Sequence, residues 1–174
     1  MPKPIEILQK YWNHPTFRSP QEEIIQSVLD GNDTFGLMPT GGGKSICFQV
    51  PALLMNGICI VISPLVALMK DQVQGLQKKG IKAIALTGGI STNEIIDLLD
   101  NCEFGDYKFL YLSPERLQNE WILERIKKLP VNLITIDEAH CVSQWGHDFR
   151  PSYLKIALLK EYFPKTPFLA LTAS

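Results

Sequence analysis

The 174-residue chain has no charge excess of either sign, since 17 Lys and Arg face 18 Asp and Glu for a net charge of -1. No long-range positive field draws in a polyanion, so any nucleic-acid contact has to be a local patch. Cysteine is scarce and scattered: Cys47, Cys59, Cys102 and Cys141 form no C-x-x-C pair. That spacing suggests neither a zinc site nor a disulfide framework, and the four read as small core residues of a reducing compartment. The opening Met-Pro-Lys-Pro is not followed by an apolar segment, so no signal peptide is expected. The greasiest stretch, Pro51 to Met69, is divided by Asn56, Gly57, Ser63 and Pro64 into a helix end, a strand and the next helix, which argues against a membrane span. Internal repeats, low-complexity segments and linkers are missing as well.

What is present is a globular composition, 45% hydrophobic and 20% charged, in a chain long enough for one domain that buries about 70% of its unfolded surface. Short apolar runs alternate with amphipathic ones. Strands are expected at Thr34 to Met38, Ile58 to Ile62, Ala83 to Leu86, Phe109 to Leu112, Leu133 to Ile136 and Phe168 to Thr172. Helices are expected at Ile5 to Tyr11, from Pro20 to about Leu29 in a Ser19-Pro-Gln-Glu22 capping box with proline at the first helical position, after the glycines to Met55, from Ser63-Pro64 to about Lys79, and from a Ser91/Glu94 capping box to about Asp100. Pro51 interrupts the third of these and should kink it. Runs buried on both faces and separated by helices predict an α/β three-layer sandwich around a mostly parallel sheet, whose ligands gather at the carboxyl ends of the strands.

The first strand runs into Met38-Pro-Thr-Gly-Gly-Gly-Lys-Ser45. Consecutive glycines at 41, 42 and 43 remove every Cβ from the turn, so backbone N–H groups from Thr40 onward converge on a polyanion at the positive end of the next helix. Lys44 can reach the β and γ oxygens of a nucleotide, and the Ser45 hydroxyl can join the shell of a magnesium ion. The usual pattern has glycine where Met38 stands. Farther on, Asp137-Glu138-Ala139-His140 follows another apolar strand. Taken alone, Asp-Glu after a strand is either a charge pair in a helix's first turn or a metal carboxylate beside a general base. With the glycine loop in the same chain, Asp137 is expected to hold the metal and Glu138 to deprotonate the attacking water.

Asp137 to His140 beside Met38 to Ser45 resembles the first motor lobe of a superfamily-two helicase, and further segments narrow the resemblance to the RecQ family. Phe17-Arg-Ser-Pro-Gln21 is similar to that family's motif upstream of the phosphate loop, Val61 to Val73 and Tyr111 to Leu117 to two later motifs, and Ser143-Gln-Trp-Gly-His-Asp-Phe-Arg-Pro151 to its aromatic-rich loop. These motifs span nearly the whole chain.

The resemblance implies a RecA-like lobe at 32–174, preceded by adenine-recognising helices at 1–31. It assigns adenine to Gln21 with Arg18, and stacking to His14, where the family often has tyrosine. It places His140 between the nucleotide site and a neighbouring lobe. It also implies ATP and magnesium as cofactors, single-stranded and partly duplex DNA as partners, 3′ to 5′ movement, a role in recombination and repair, and a cytoplasmic, nucleoid-associated enzyme. By the same resemblance a second motor lobe, its arginine finger and a zinc-bearing segment lie beyond these residues, so the lobe by itself should bind nucleotide weakly and unwind nothing.

Read without the family, Gln21 is either a two-way amide for an adenine edge or a solvated glutamine. Trp145, His147, Phe149 and Arg150, too irregular for a helix face, form either a base-stacking loop or a satellite core. Ser63-Pro64 and Ser113-Pro114 either grip backbone phosphates of a nucleic acid or only cap helices, and Lys70, Lys127 and Lys128 read as solvated charges. The rivals are a DEAH-type RNA helicase, another DNA-dependent translocase, and a nucleotide or nucleic-acid binding module without turnover.

Overall fold

A computed structural model of the chain describes residues 2–39, 43–139 and 150–173, and for 150–153 the backbone alone. The elements in order are α1 (Pro4–Trp12), α2 (Gln21–Leu29), β1 (Thr34–Leu37), α3 (Ile46–Leu54), β2 (Ile58–Ile62), α4 (Val66–Lys78), β3 (Ala83–Leu86), α5 (Thr92–Phe104), β4 (Phe109–Leu112), a 3-10 helix (Pro114–Gln118), α6 (Glu120–Lys127), β5 (Val131–Ile136), α7 (Arg150–Tyr162) and β6 (Phe168–Thr172). The strands form one six-stranded sheet in the order β1-β6-β5-β2-β4-β3, with every pair parallel.

Alternation along the strands divides the core into two layers. Cys59 and Val61 of β2 join Phe48 of α3 and Met69, Val73 and Leu76 of α4 on one face. Ile58, Ile60 and Ile62 of the same strand join Ile95 and Leu99 of α5, Ile122 and Ile126 of α6, and Ile156 and Leu159 of α7 on the other. Successive side chains of a strand point to opposite faces, so a strand with no polar residue needs helices covering both faces of the sheet. All five β2 residues are buried, and each large aliphatic side chain among them contributes about 1.5–3 kcal/mol relative to exposure. A third cluster, Ile7 and Leu8 of α1, Ile25 of α2, and Ile46 and Val50 of α3, packs the amino-terminal helices onto the helix that follows the glycine loop.

Several local expectations are corrected. Gln21, not Pro20, opens α2, and Pro20 occupies the cap position without a side-chain cap bond. The Gln21 amide itself reaches back, accepting from the Arg18 N–H at 2.7 Å, so Ser19 is left to contact the Glu23 carboxylate at 3.4 Å. Ser63-Pro64 does not begin a helix: α4 starts at Val66, and the Ser63 hydroxyl accepts from the Leu65 N–H at 3.2 Å in a local turn. α5 extends one turn past Asp100, to Phe104. Arg150 and Pro151 belong to α7 and not to an irregular segment, as proline is tolerated in a first helical turn. α6 was not anticipated, because eight residues give little periodicity to read; its cap is the Asn119 side chain, which accepts from the Trp121 N–H at 3.2 Å. Cys47, Cys59 and Cys102 are buried free thiols, each pushed up to about 12 chiefly by burial; Cys141 lies outside the described residues.

α7 is tied to the sheet at the end opposite the strand C-termini. The Asp33 carboxylate accepts from Lys160 Nζ at 2.8 Å and from the Phe168 N–H at 3.0 Å. Partial burial acts to raise the Asp33 carboxyl, but these two bonds hold it below the usual carboxylate range.

Candidate nucleotide-binding site

Strand order determines which loops meet. β6 lies between β1 and β5, and its last two carbonyls bind both of its neighbours' continuations: Thr172 O accepts from the Met38 N–H at 2.9 Å, and Leu171 O from the Ala139 N–H at 2.7 Å. Asp137 is held from the other side by Ile62 O of β2 at 2.9 Å. The segments that follow β1 and β5 therefore leave the same edge of the sheet, one strand apart.

There Lys44 Nζ lies 3.1 Å from Asp137 Oδ1 and hydrogen-bonds Glu138 Oε1. Asp137 is 2% exposed. Its Oδ1 also accepts from the Glu138 N–H at 2.9 Å, which supports the left-handed backbone of Glu138 (φ 54°). A short acceptor bonding the next residue's backbone is a recognised way to hold such a turn. Both partners are raised, for opposite reasons. Burial acts to lower Lys44, but Glu138 and Asp137 raise it overall. At Asp137 it is burial that prevails, lifting the carboxyl above the ordinary range despite Lys44. A buried carboxylate disfavoured by desolvation gains most from a multiply charged cation.

A magnesium ion fits that donor set. It keeps several waters and binds through one or two protein oxygens plus substrate phosphates, and no cluster of three His, Cys, Asp or Glu is found among the described residues to suggest an all-protein cage. Asp137 is one such oxygen donor, and Ser45, at the amino end of α3, is the other expected one.

The remaining predicted residues divide into those the structure brings together and those outside its described part. His14, Arg18 and Gln21 line one small cleft, of about 30 Å³, with Leu8, Thr16 and Ile46. Gln21 is 3% exposed, so it is no solvated glutamine. Its Nε2 donates to Gly43 O at 3.0 Å while its Oε1 takes the Arg18 N–H, making the side chain a strut between this cleft and the glycine loop. A Cβ on Gly43 would stand 2.7 Å from that Nε2, so a side chain there would have to displace the Gln21 amide. Met38, where glycine is usual, turns under the loop: it is buried, and Cys47 Sγ meets its sulfur at 3.1 Å. Thr40, Gly41, Gly42, His140, Trp145, His147 and Phe149 lie outside the described residues, and for Arg150 only its place at the start of α7 is described. α7 packs on the 3-10 helix that follows Ser113. Ser63 and Pro64 directly follow β2 at the same sheet edge.

Sequence reading missed a buried chain of polar groups behind the site. Gln49 Nε2 of α3 donates to the Tyr111 hydroxyl at 2.9 Å, and that hydroxyl donates to Gln72 Oε1 of α4 at 2.8 Å. The available signal was Gln49 itself, a polar residue inside the apolar helix Ile46–Leu54.

Replacing Gln21 by Glu keeps the acceptor for Arg18 but sets a carboxylate against Gly43 O. An unsatisfied or repelled buried group costs about 1–3 kcal/mol, so the variant is expected to unfold at lower urea by that amount and to lose nucleotide affinity. Unchanged stability would show that the strut contributes nothing.

The chain is similar to known proteins along nearly its whole length. The chain is 45% identical over 175 residues to the probable ATP-dependent DNA helicase RecS of Bacillus subtilis, covering 100% of the chain and 35% of that protein. It is 47% identical over 170 residues to the ATP-dependent DNA helicase RecQ of the same organism, covering 97% of the chain and 29% of that protein, and 43% identical over 173 residues to RecQ of Haemophilus influenzae, covering 99% and 28%. It thus spans about a third of the length of these relatives. Residues 18–174, which include both the glycine loop and the acidic turn, match the DEAD/DEAH box helicase family, and the chain belongs to that family.

Proposed function

We propose that this chain is the ATP-binding first lobe of a RecQ-type DNA helicase, and that in the whole protein ATP hydrolysis drives 3′ to 5′ movement on single-stranded DNA during recombination and repair. The observation that carries the reading is Lys44 meeting both Asp137 and Glu138 at the carboxyl edge of the sheet.

In this reading the N–H groups of Thr40, Gly41, Gly42 and Gly43 cradle the phosphates, and Lys44 moves its charge onto the β and γ oxygens. His14, Arg18 and Gln21 hold the adenine, with Leu8 and Ile46 as the apolar floor of the cleft. Ser45 and Asp137 would hold magnesium, which supplies Lewis-acid polarisation of the phosphate oxygens. Glu138 orients the attacking water and takes its proton on a carboxylate oxygen. His140 faces the neighbouring lobe. Trp145, His147, Phe149 and Arg150 contact single-stranded DNA by stacking and by charge, with Ser63 and Pro64 on its backbone. The aromatic segment begins close behind His140 and runs into α7, which supports a direct link from DNA occupancy to Glu138.

The test is phosphate release with single-stranded DNA and with RNA of the same length. DNA is expected to stimulate the wild type more than RNA, and Trp145→Ala to lose the DNA stimulation. Equal stimulation by RNA would favour the RNA-helicase reading, and full stimulation of Trp145→Ala would remove the aromatic segment from the coupling.

A further inference from the structure

Tyr111 of β4 is 1% exposed, and its ring is held between strand and helix, with Phe109 of the same strand at 6.4 Å and Phe48 of α3 edge-on at 6.3 Å. The hydroxyl at the end of that ring reaches the seam between α3 and α4. There it accepts from Gln49 Nε2 at 2.9 Å and donates to Gln72 Oε1 at 2.8 Å. A hydroxyl can do both at once, and burial pushes this phenol well above its ordinary range, so it keeps the proton it donates. Around it the two helices meet the sheet through apolar side chains, Phe48 from α3 and Met69, Val73 and Leu76 from α4. Apolar contact has no direction and tolerates a small slide of one helix past the other. Hydrogen bonds weaken steeply with angle, so the chain Gln49, Tyr111, Gln72 selects one arrangement of the pair.

Each end of this chain leads to a different part of the site. Gln49 donates its backbone N–H to Ser45 O at 2.9 Å, one turn back along the helix that follows the glycine loop, and Ser45, Gln49 and Gln72 line one small cleft, of about 120 Å³. At the other end, Ser63 leads from β2 towards α4 and donates its N–H to Leu112 O at 3.1 Å, on the residue that follows Tyr111. We propose that Tyr111 is a positioning residue that locks α3 to α4 through Gln49 and Gln72, so that a nucleic acid seated on Ser63 and Pro64 displaces Ser45 and thereby changes the rate of hydrolysis. The proposal rests on the functional reading above and adds to it a route separate from the aromatic segment. With the hydroxyl in place, a displacement of α4 carries α3 with it as one body, the kind of hydrogen-bonded link between rigid elements that can transmit coupling. Without it, α4 follows the nucleic acid and α3 stays where it was.

Phosphate release by the whole protein, with and without saturating single-stranded DNA, tests this. Gln72→Glu keeps an acceptor for the Tyr111 hydroxyl and should be stimulated by DNA as wild type is. Gln72→Leu should keep its basal rate and lose about fivefold of the stimulation, within the range by which mutations along a coupling network act. Gln72 is only partly buried, so this pair does not depend on a core variant folding. Gln49→Met/Tyr111→Phe/Gln72→Met then removes all three polar groups together and leaves none of them unpaired. Its urea midpoint should recover relative to Tyr111→Phe while the stimulation stays low, whereas a merely structural chain would recover both. Full stimulation in Gln72→Leu or in the folded triple variant would overturn the proposal. So would a loss in Gln72→Leu that disappears once a labelled strand, followed by fluorescence anisotropy, is shown to saturate it, because the chain would then serve DNA binding alone. Absence of stimulation in wild type sinks the functional reading and this route with it. Equal stimulation of wild type and Gln72→Leu sinks the route and leaves the functional reading standing.

Discussion

Replacing Glu138 by Gln is expected to lower DNA-stimulated phosphate release by about 10²–10⁴-fold, the range typical for removing a positioned general base, while nucleotide binding persists. The substitution keeps the shape and one acceptor oxygen but cannot take the proton of the attacking water. It also removes one of the two carboxylates that hold Lys44, so the lysine is released more readily to the phosphates and KM should not rise. A fall in kcat with KM unchanged or lower is the signature of an interaction made mainly in the transition state. If KM rises instead and kcat is kept, Glu138 serves binding, and the water has another base. If phosphate release in wild type equals that of the variant, the chain binds nucleotide without turnover of its own.

Replacing Gly57 by Ala is expected to destabilise the fold by roughly 2–5 kcal/mol, through a strained backbone and an overpacked contact together. Gly57 has φ +107°, and a Cβ there would lie 2.1 Å from Pro130 O. That carbonyl cannot retreat, because it accepts the Ile58 N–H at 2.9 Å and so pins the start of β2 to the start of β5. Lys108 adds a second constraint by donating to Gly57 O at 2.9 Å and to Met55 O at 2.7 Å. The same change at Gly75, inside α4, meets nothing within 4 Å and should stabilise by about 0.5–1 kcal/mol, because alanine is the better helix former. Urea unfolding of the two variants side by side checks both signs. A Gly57→Ala protein as stable as Gly75→Ala would mean that the β2 entry is not held as described.

How much of this was legible beforehand differs by element. The β2 strand was read to the residue because Ile58 to Ile62 is an unbroken apolar run, too short for a helix and buried on both faces. β3, β4 and β6 followed from the same logic. Ser91 was a legible cap because its hydroxyl takes the Glu94 N–H at 3.2 Å, a contact made within four residues of chain. Ser19 and Ser63 carried the same local signature and do not cap helices, because other contacts compete for the same backbone: the Gln21 amide reaches into the site, and Leu65 takes the Ser63 hydroxyl. Gln21 itself could be read as an amide with two functions, but not as a strut, since Gly43 is a partner that only the packing of α2 beside α3 supplies.

By itself the amino-acid order determined the parts: six strands, a glycine turn followed by lysine and serine, an acidic pair at a strand end, and the faces that must be buried. Those are properties of neighbours along the chain, set by side-chain period, missing Cβ atoms and local hydrogen bonds. Only the tertiary structure decided that β6, last along the chain, inserts between β1 and β5 and so brings Lys44 onto Asp137 and Glu138. Which strands lie side by side depends on how the crossover helices pack on the two faces of the sheet, a choice made by the summed burial of residues distant in sequence and carried by no single segment.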